Sequence, residues 1–243
     1  NQMAAELYGE AVARIVKDPV TAAGLTPTHP FGCKRPIIDQ GYHQTFNRDN
    51  VTLVDLRSDA IVGVTPAGIR TEQGIHELDV IIYATGFDAM TGALTRMDIR
   101  GRDGRSLAEF WGAEGPYSYL GIAVAGFPNL FIVQAPGSPS AATNFVAAPE
   151  QHVEWIDDCL CYLRAHTHRT IEALPDAQRD WIEHTTALVA PTVLVHPTCN
   201  SWYNGGNVPG KKRMYMGYTA GIPEYRRRCD EIAAAGYTGF ALG

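Results

Sequence analysis

Positive charge is in short supply in this chain of 243 residues. Twenty Lys and Arg stand against 26 Asp and Glu, a net charge of −6 at neutral pH. Nonspecific nucleic-acid binding needs a basic footprint, so that class is set aside. Cysteine is scarce and unpatterned. Cys33, Cys159, Cys161, Cys199 and Cys229 are odd in number and contain no C-x-x-C pair. Reduced, unlinked thiols are the expectation. The eight histidines show neither H-x-x-x-H nor H-E-x-x-H spacing, so no metal site is expected. Long apolar runs are missing as well: residues 119–127 are too short and too Gly-rich to span a bilayer. The opening Asn1-Gln2-Met3 lacks the apolar core of a secretion signal, and a cytoplasmic location is expected. No G-x-S-x-G elbow and no evident carboxylate pair occur, which leaves a hydrolase little support.

What is present is an ordinary globular composition, 45% hydrophobic and 19% charged. The length allows one or two domains. Residues 4–16 read as a helix with Leu7, Val12, Ile15 and Val16 on its apolar face, ended by Lys17-Asp18-Pro19. A Pro/Gly loop follows from 25 to 36. Short strands come next: 51–54, a hairpin over 61–71, and 75–83. Residues 130–133 read as a further buried strand, closed by A-P-G-S-P at 135–139. Beyond it the pattern turns helical. Pro149 and Glu150 suit a first helical turn, and Val153, Ile156, Leu160 and Leu163 form a stripe. Residues 173–190 read as a second helix, and a last one runs from near Pro223 to Gly236. A polar, Gly-rich loop spans 196–212.

The focal stretch is 79–88, D-V-I-I-Y-A-T-G-F-D. Val80, Ile81, Ile82 and Tyr83 are a continuous β-branched and aromatic run, the pattern of a strand buried on both faces of a parallel sheet. It stops at Ala84-Thr85-Gly86, where small residues let a flat ligand approach closely. In open α/β sheets ligands sit at the carboxyl ends of strands, so Thr85 and Gly86 are candidate dinucleotide contacts. An ordinary core strand ending in a turn fits the same residues.

Three other places can carry chemistry. Lys34-Arg35 lies in the loop H-P-F-G-C-K-R-P, where Lys suits a phosphate and Arg supplies a permanent, forked charge. A solvated surface pair is the plain alternative. The strand, Gly/Ser/Pro loop and helix over 130–163 would present unpaired N–H groups to an anion or a flavin edge; an ordinary strand-to-helix connection fits equally. G-G-N-V-P-G-K at 205–211 matches G-x-x-x-x-G-K, but Lys212 stands where Ser or Thr is needed and Pro209 removes a cradle N–H, so a P-loop is rejected. Trp202, on the same loop, can fold over a flat ligand or simply pack the loop down.

Six blocks, in order, resemble the C-terminal half of a type I Baeyer–Villiger monooxygenase of the cyclohexanone and phenylacetone monooxygenase group. They are H-P-F-G-C-K-R-P (29–36), T-F-N-R-D-N-V-T-L-V-D (45–55), E-L-D-V-I-I-Y-A-T-G-F-D (77–88), A-P-G-S-P-S (135–140), E-Q-H-V-E-W (150–155) and S-W-Y-N-G-G-N-V-P-G-K (201–211). The resemblance implies an α/β flavoprotein with two Rossmann-like dinucleotide-binding domains, a parallel sheet, a β-meander and C-terminal helices. It implies FAD and NADP as cofactors, and conversion of a ketone to an ester or lactone with dioxygen through a flavin C4a-peroxide. By motif, Arg35 is the catalytic arginine and Lys34 holds the NADP 2′-phosphate. Trp202 contacts the nicotinamide nucleotide, while Asn144 and Phe145 lie at the flavin edge. Ser140, Ala141 and Ala142 shape the substrate pocket. Residues 1–31 would be the tail of a helical insertion, 32–83 the end of the NADP domain and 84–243 the end of the FAD domain. The family's two G-x-G-x-x-G fingerprints are not in this sequence, so an N-terminal half, in the same or a second chain, is the expected partner. A non-catalytic binding remnant, and a flavin monooxygenase acting on nitrogen or sulfur, are the alternatives.

Overall fold

A computed structural model describes every residue except Asp39, Ser140, Ala141, Ala142 and Phe145. The chain divides into two compact units, Asn1–Gly86 and Phe87–Gly243.

In the first unit, helix α1 (Gln2–Ile15) forms where the apolar spacing places it. Val12 and Val16 are buried with Ala22 in a small core flanked by Tyr8, Ile15, Leu25 and Phe46. Helix α2 (Pro19–Leu25) was not expected. Asp18, read as part of a stop, caps α2 by accepting from the Thr21 N–H at 2.8 Å, with Pro19 in the first turn. One Asp-Pro pair thus ends one helix and starts the next. After the short α3 (Tyr42–Thr45), strands β1 (Ile61–Thr65), β2 (Gly68–Thr71) and β3 (Ile75–Glu77) make an antiparallel meander in that order. The hairpin is the expected one, in register Thr65 to Gly68 and Val64 to Ile69. Gly68 sits at φ +148°, and a Cβ there would come within 2.0 Å of the His76 carbonyl oxygen, so only glycine fits.

Residues 79–83 depart from expectation. Among the described residues they join no ladder, and Val80, Ile82 and Tyr83 are 73%, 86% and 74% exposed. An apolar strand is buried on both faces only when neighbouring strands and helices cover it. Residues 51–54 are likewise irregular. Cys33 is disulfide-bonded, not the expected thiol.

The second unit begins with α4 (Gly92–Thr95) and α5 (Leu107–Glu114). The latter opens on a reciprocal capping box between Ser106 and Glu109. Leu107 and Trp111 pack with Val124, Phe127, Ile132 and Ala135. The main core lies among α6 (Ala147–Ala165), α7 (Pro175–Val189) and α8 (Ile222–Ala234). Trp155 and Cys159 of α6 meet Trp181 of α7 and Tyr225 and Cys229 of α8 there. The Trp181 and Tyr218 rings lie parallel, 5.4 Å between centroids and 1° between planes. Strands β4 (Ile171–Ala173) and β5 (Phe240–Leu242) pair antiparallel. The expected strand at 130–133 is irregular: Ile132 is buried and its N–H donates to the Ile122 carbonyl at 2.8 Å, but Val133 is 46% exposed. Cys159, Cys161 and Cys229 are the expected free thiols, whereas Cys199 is disulfide-bonded.

The architecture is therefore α/β with small antiparallel sheets, and the only parallel pairing among the described residues is the single bridge between Ser138 and Gly217. No described helix is long and apolar enough to cross a membrane.

Candidate functional site

Lys34 and Arg35 share one cleft of the first unit, about 280 Å³, whose wall also includes Tyr8, His29 and Phe31. Both are exposed. The loop that carries them is clamped from the start of α1. Asn1 Nδ2 donates to the Phe31 carbonyl at 2.7 Å, and the Phe31 N–H returns to Asn1 Oδ1 at 3.0 Å. The Cys33 N–H closes a turn on the Pro30 carbonyl at 3.1 Å, with Gly32 at φ +82°. The result is a cationic, aromatic-walled cleft suited to an anion with a flat neighbour. Thr85 and Gly86, at the end of the same unit, are exposed, Gly86 at φ +84°.

Trp202 opens a 3-10 turn, Trp202–Asn204, in the second unit. Its ring is partly exposed and tilts against Tyr203 at 4.3 Å between centroids. The turn is held from beneath by buried Asn204. Its Nδ2 donates to the Cys199 carbonyl at 2.8 Å and the Leu194 carbonyl at 3.2 Å, and its Oδ1 accepts from the Gly206 N–H at 3.0 Å. The Arg213 guanidinium donates to the Pro197 and Cys199 carbonyls at 2.7 and 2.8 Å. Lys211 ion-pairs with Asp88, and Lys212 Nζ donates to the Glu114 carbonyl at 2.8 Å. The G-x-x-x-x-G-K match thus puts its Lys on a carboxylate of this chain, consistent with rejecting a P-loop. Sequence spacing holds no signal for the Asp88–Lys211 pairing.

The A-P-G-S-P loop is anchored throughout. Ser118 Oγ donates to the Pro136 carbonyl at 2.5 Å, Trp181 Nε1 to the Gly137 carbonyl at 3.2 Å, and the Gly137 N–H to the Met216 carbonyl at 2.8 Å. Ser138 Oγ and Gln134 Nε2 are buried atoms with no partner among the described residues. Asn144 is exposed, and its Oδ1 accepts from the Val146 N–H at 2.8 Å, one residue before α6. No side chain caps α6 at Val146. Ser140, Ala141, Ala142 and Phe145, expected in the pocket and at the flavin edge, lie outside the described residues.

Behind that loop sits a buried polar chain that sequence reading did not find. The Gln134 N–H donates to His152 Nδ1 at 3.0 Å, so the neutral ring carries its proton on Nε2. Nε2 lies 2.7 Å from the Tyr225 hydroxyl, which donates to the Leu120 carbonyl at 2.5 Å. Burial holds the His152 imidazole down at about 4 and pushes the Tyr225 phenol well above its usual range. A lone His on α6 gave no hint of this, because its partners come from residues 18 and 73 positions away.

No protein-family model matches the chain. It is 40% identical over 239 residues to a Baeyer–Villiger monooxygenase of Pseudooceanicola batsensis, covering 98% of this chain and 43% of that protein. It is 42% identical over 232 residues to cyclohexanone 1,2-monooxygenase of an Acinetobacter species, covering 95% and 42%. This chain is a relative of the Baeyer–Villiger monooxygenases. The closed crystal structure of cyclohexanone monooxygenase superposes on all of it with a TM-score of 0.94 at 41% identity, over 45% of that chain. OTEMO, solved in complex with FAD and NADP, gives 0.91 at 40% identity, over 44% of its chain. One further relative carries a different name, phenazine N-monooxygenase of Lysobacter antibioticus, 37% identical over 243 residues, covering 100% of this chain and 44% of that protein. The Baeyer–Villiger relationship therefore extends along this whole chain but spans less than half the length of the relatives it matches.

Proposed function

We propose that this chain is the C-terminal portion of an FAD- and NADPH-dependent Baeyer–Villiger monooxygenase that converts ketones to esters or lactones with dioxygen. The observation that carries the proposal is the superposition of the whole chain on cyclohexanone monooxygenase at 41% identity. In this reading residues 1–31 end a helical insertion, 32–83 complete a Rossmann-like NADP domain and 84–243 complete the FAD domain, in a cytoplasmic enzyme. Residues 79–83 become a strand of a parallel sheet whose neighbours come from the N-terminal portion. Their exposed Val80, Ile82 and Tyr83 fit that role, since such edges are otherwise a liability.

The residues present suit the cofactors. The Lys34–Arg35 cleft matches a nucleotide phosphate in charge and its aromatic walls match a flat ring. The unpartnered buried Ser138 Oγ and Gln134 Nε2 sit in the loop that leads to Asn144 and Phe145 and match a polar flavin edge. Bound FAD, reduced by NADPH, supplies the oxygen chemistry. Lys34 holds the 2′-phosphate of NADP as a point charge. Arg35 keeps a fixed charge where negative charge develops on the ketone oxygen. Trp202 covers the nicotinamide nucleotide, Thr85 and Gly86 let a dinucleotide approach the backbone, and Ser140, Ala141 and Ala142 bound the ketone pocket.

The test is to combine this chain with the N-terminal portion and follow flavin absorbance, NADPH oxidation and lactone formation from cyclohexanone. Arg35→Ala should leave flavin reduction by NADPH in place and abolish lactone formation; undiminished lactone would overturn the assignment. Lys34→Ala should weaken NADPH more than NADH by about tenfold, the scale of one charge-assisted contact; unchanged discrimination would refute that role. The phenazine N-monooxygenase relative supports a second reading, oxidation of a heteroaromatic nitrogen. Phenazine turned over in preference to any ketone would select it.

A further inference from the structure

We infer that Asp88 and Lys211 are positioning residues whose ion pair latches the Trp202 loop onto the segment that follows Gly86 in sequence. The inference rests on the reading of Trp202 as a nucleotide contact and extends it to two residues with no assigned role.

Lys211 Nζ meets Asp88 Oδ1 directly and reaches the Ala89 carbonyl at 3.4 Å. The Lys side chain is 16% exposed and the Asp side chain 33%. A pair this far withdrawn from water is not the weak surface contact that solvent screens away, and removing one partner leaves the other charge uncompensated. Each side chain also lies in space left by a glycine. A Cβ on Gly205 would stand 3.1 Å from Lys211 Cδ and 3.3 Å from Cε. A Cβ on Gly92 would stand 2.6 Å from Asp88 Cβ and Cγ. Gly205, at φ +71°, ends the Trp202–Asn204 turn, so the Lys211 stem packs against the turn that displays the indole. Asn207 Nδ2 adds a second tie between the same two segments, donating to the Phe87 carbonyl at 3.1 Å. The inner end of the loop is held elsewhere, through Asn204 and Arg213. The pair therefore governs the outer part, residues 205–211, and with it the backing of Trp202.

Limited trypsin digestion of the full chain reads the latch directly. Cleavage after Lys212 is measured by mass spectrometry against cleavage after Arg164 within α6. Asp88→Asn and Lys211→Met each remove one charge. Gly92→Ala keeps both charges but fills the space Asp88 occupies. All three should raise cleavage after Lys212 by about tenfold relative to Arg164, as expected for opening of a local segment. Unchanged cleavage overturns the latch. So does acceleration at Arg164 by the same factor, which would make the pair a general support of the fold. In the assembled monooxygenase, Lys211→Met should raise KM for NADPH several-fold and leave kcat within about twofold, the split expected of lost binding. Digestion that responds while KM for NADPH does not would preserve the latch and refute the nucleotide role of Trp202.

Discussion

Tyr225→Phe removes one oxygen atom from the middle of the buried chain that joins α6, α8 and the 119–123 turn. The phenol is 1% exposed, so water does not replace the lost hydroxyl. Two groups lose their partner at once: His152 Nε2–H, 2.7 Å away, and the Leu120 carbonyl, 2.5 Å away. Each buried group left unsatisfied costs about 1–3 kcal/mol, so the variant should lose about 3 kcal/mol. The ring itself keeps its apolar contacts with Trp181 and Tyr218, so no cavity term is added. Urea unfolding of the chain at pH 7, followed by circular dichroism, measures the change, and the slope m should be unaltered. A midpoint shift equivalent to less than about 1 kcal/mol would refute the reasoning, because it would mean the two groups find other partners.

Acid should act on the same chain through His152. Its imidazole sits at about 4 in the fold against 6.5 when free, because burial disfavours the charged ring. Unfolded His152 therefore takes up a proton that the folded state refuses. Stability is full above pH 6.5 and falls by about 3 kcal/mol as pH drops to 4, and urea midpoints across that window should show it. His152→Gln should flatten that slope; a wild-type midpoint constant from pH 7 to 4.5 would contradict it. The carboxylates of Asp55 and Glu224, held down at about 2 by Arg57 and by Arg227 with Arg228, begin to lose their own contribution only as pH falls through their ordinary values of 3.8 and 4.5, so the stretch from pH 6.5 to 5 reports His152 free of them. Gly137→Ala places a Cβ 3.1 Å from Trp181 Nε1 at a φ of +90°, and should cost about 1–3 kcal/mol and alter the near-ultraviolet tryptophan signal; an unperturbed spectrum and midpoint would count against the close packing. Ser106→Ala breaks the capping box of α5 and should lose about 1 kcal/mol by thermal melting, with no change at Ser106→Asp.

The four longest helices, α1, α6, α7 and α8, were legible because their information is local. The spacing of Val12 and Val16, of Ile156 and Leu163, and the Pro149 and Pro223 signals lie within a few residues of the elements they define. The 61–71 hairpin was legible for the same reason. The Asp18-Pro19 signal was misread in function but lay in plain view. The apolar runs at 79–83 and 130–133 were legible as apolar, but neither joins a ladder among the described residues, because a strand is completed by its neighbours. The Lys34–Arg35 pair is adjacent in sequence and shares one cleft. By sequence alone, then, this protein determined its four longest helices, its hairpin, its acidic balance and the ordered motifs that tie it to the Baeyer–Villiger monooxygenases. Only the tertiary structure decided that Lys211 meets Asp88 across 123 positions, that His152 is neutral between Gln134 and Tyr225, and that Gly92 and Gly205 leave room for an ion pair. Those outcomes depend on distances between segments far apart in the chain, and no residue spacing encodes such a distance.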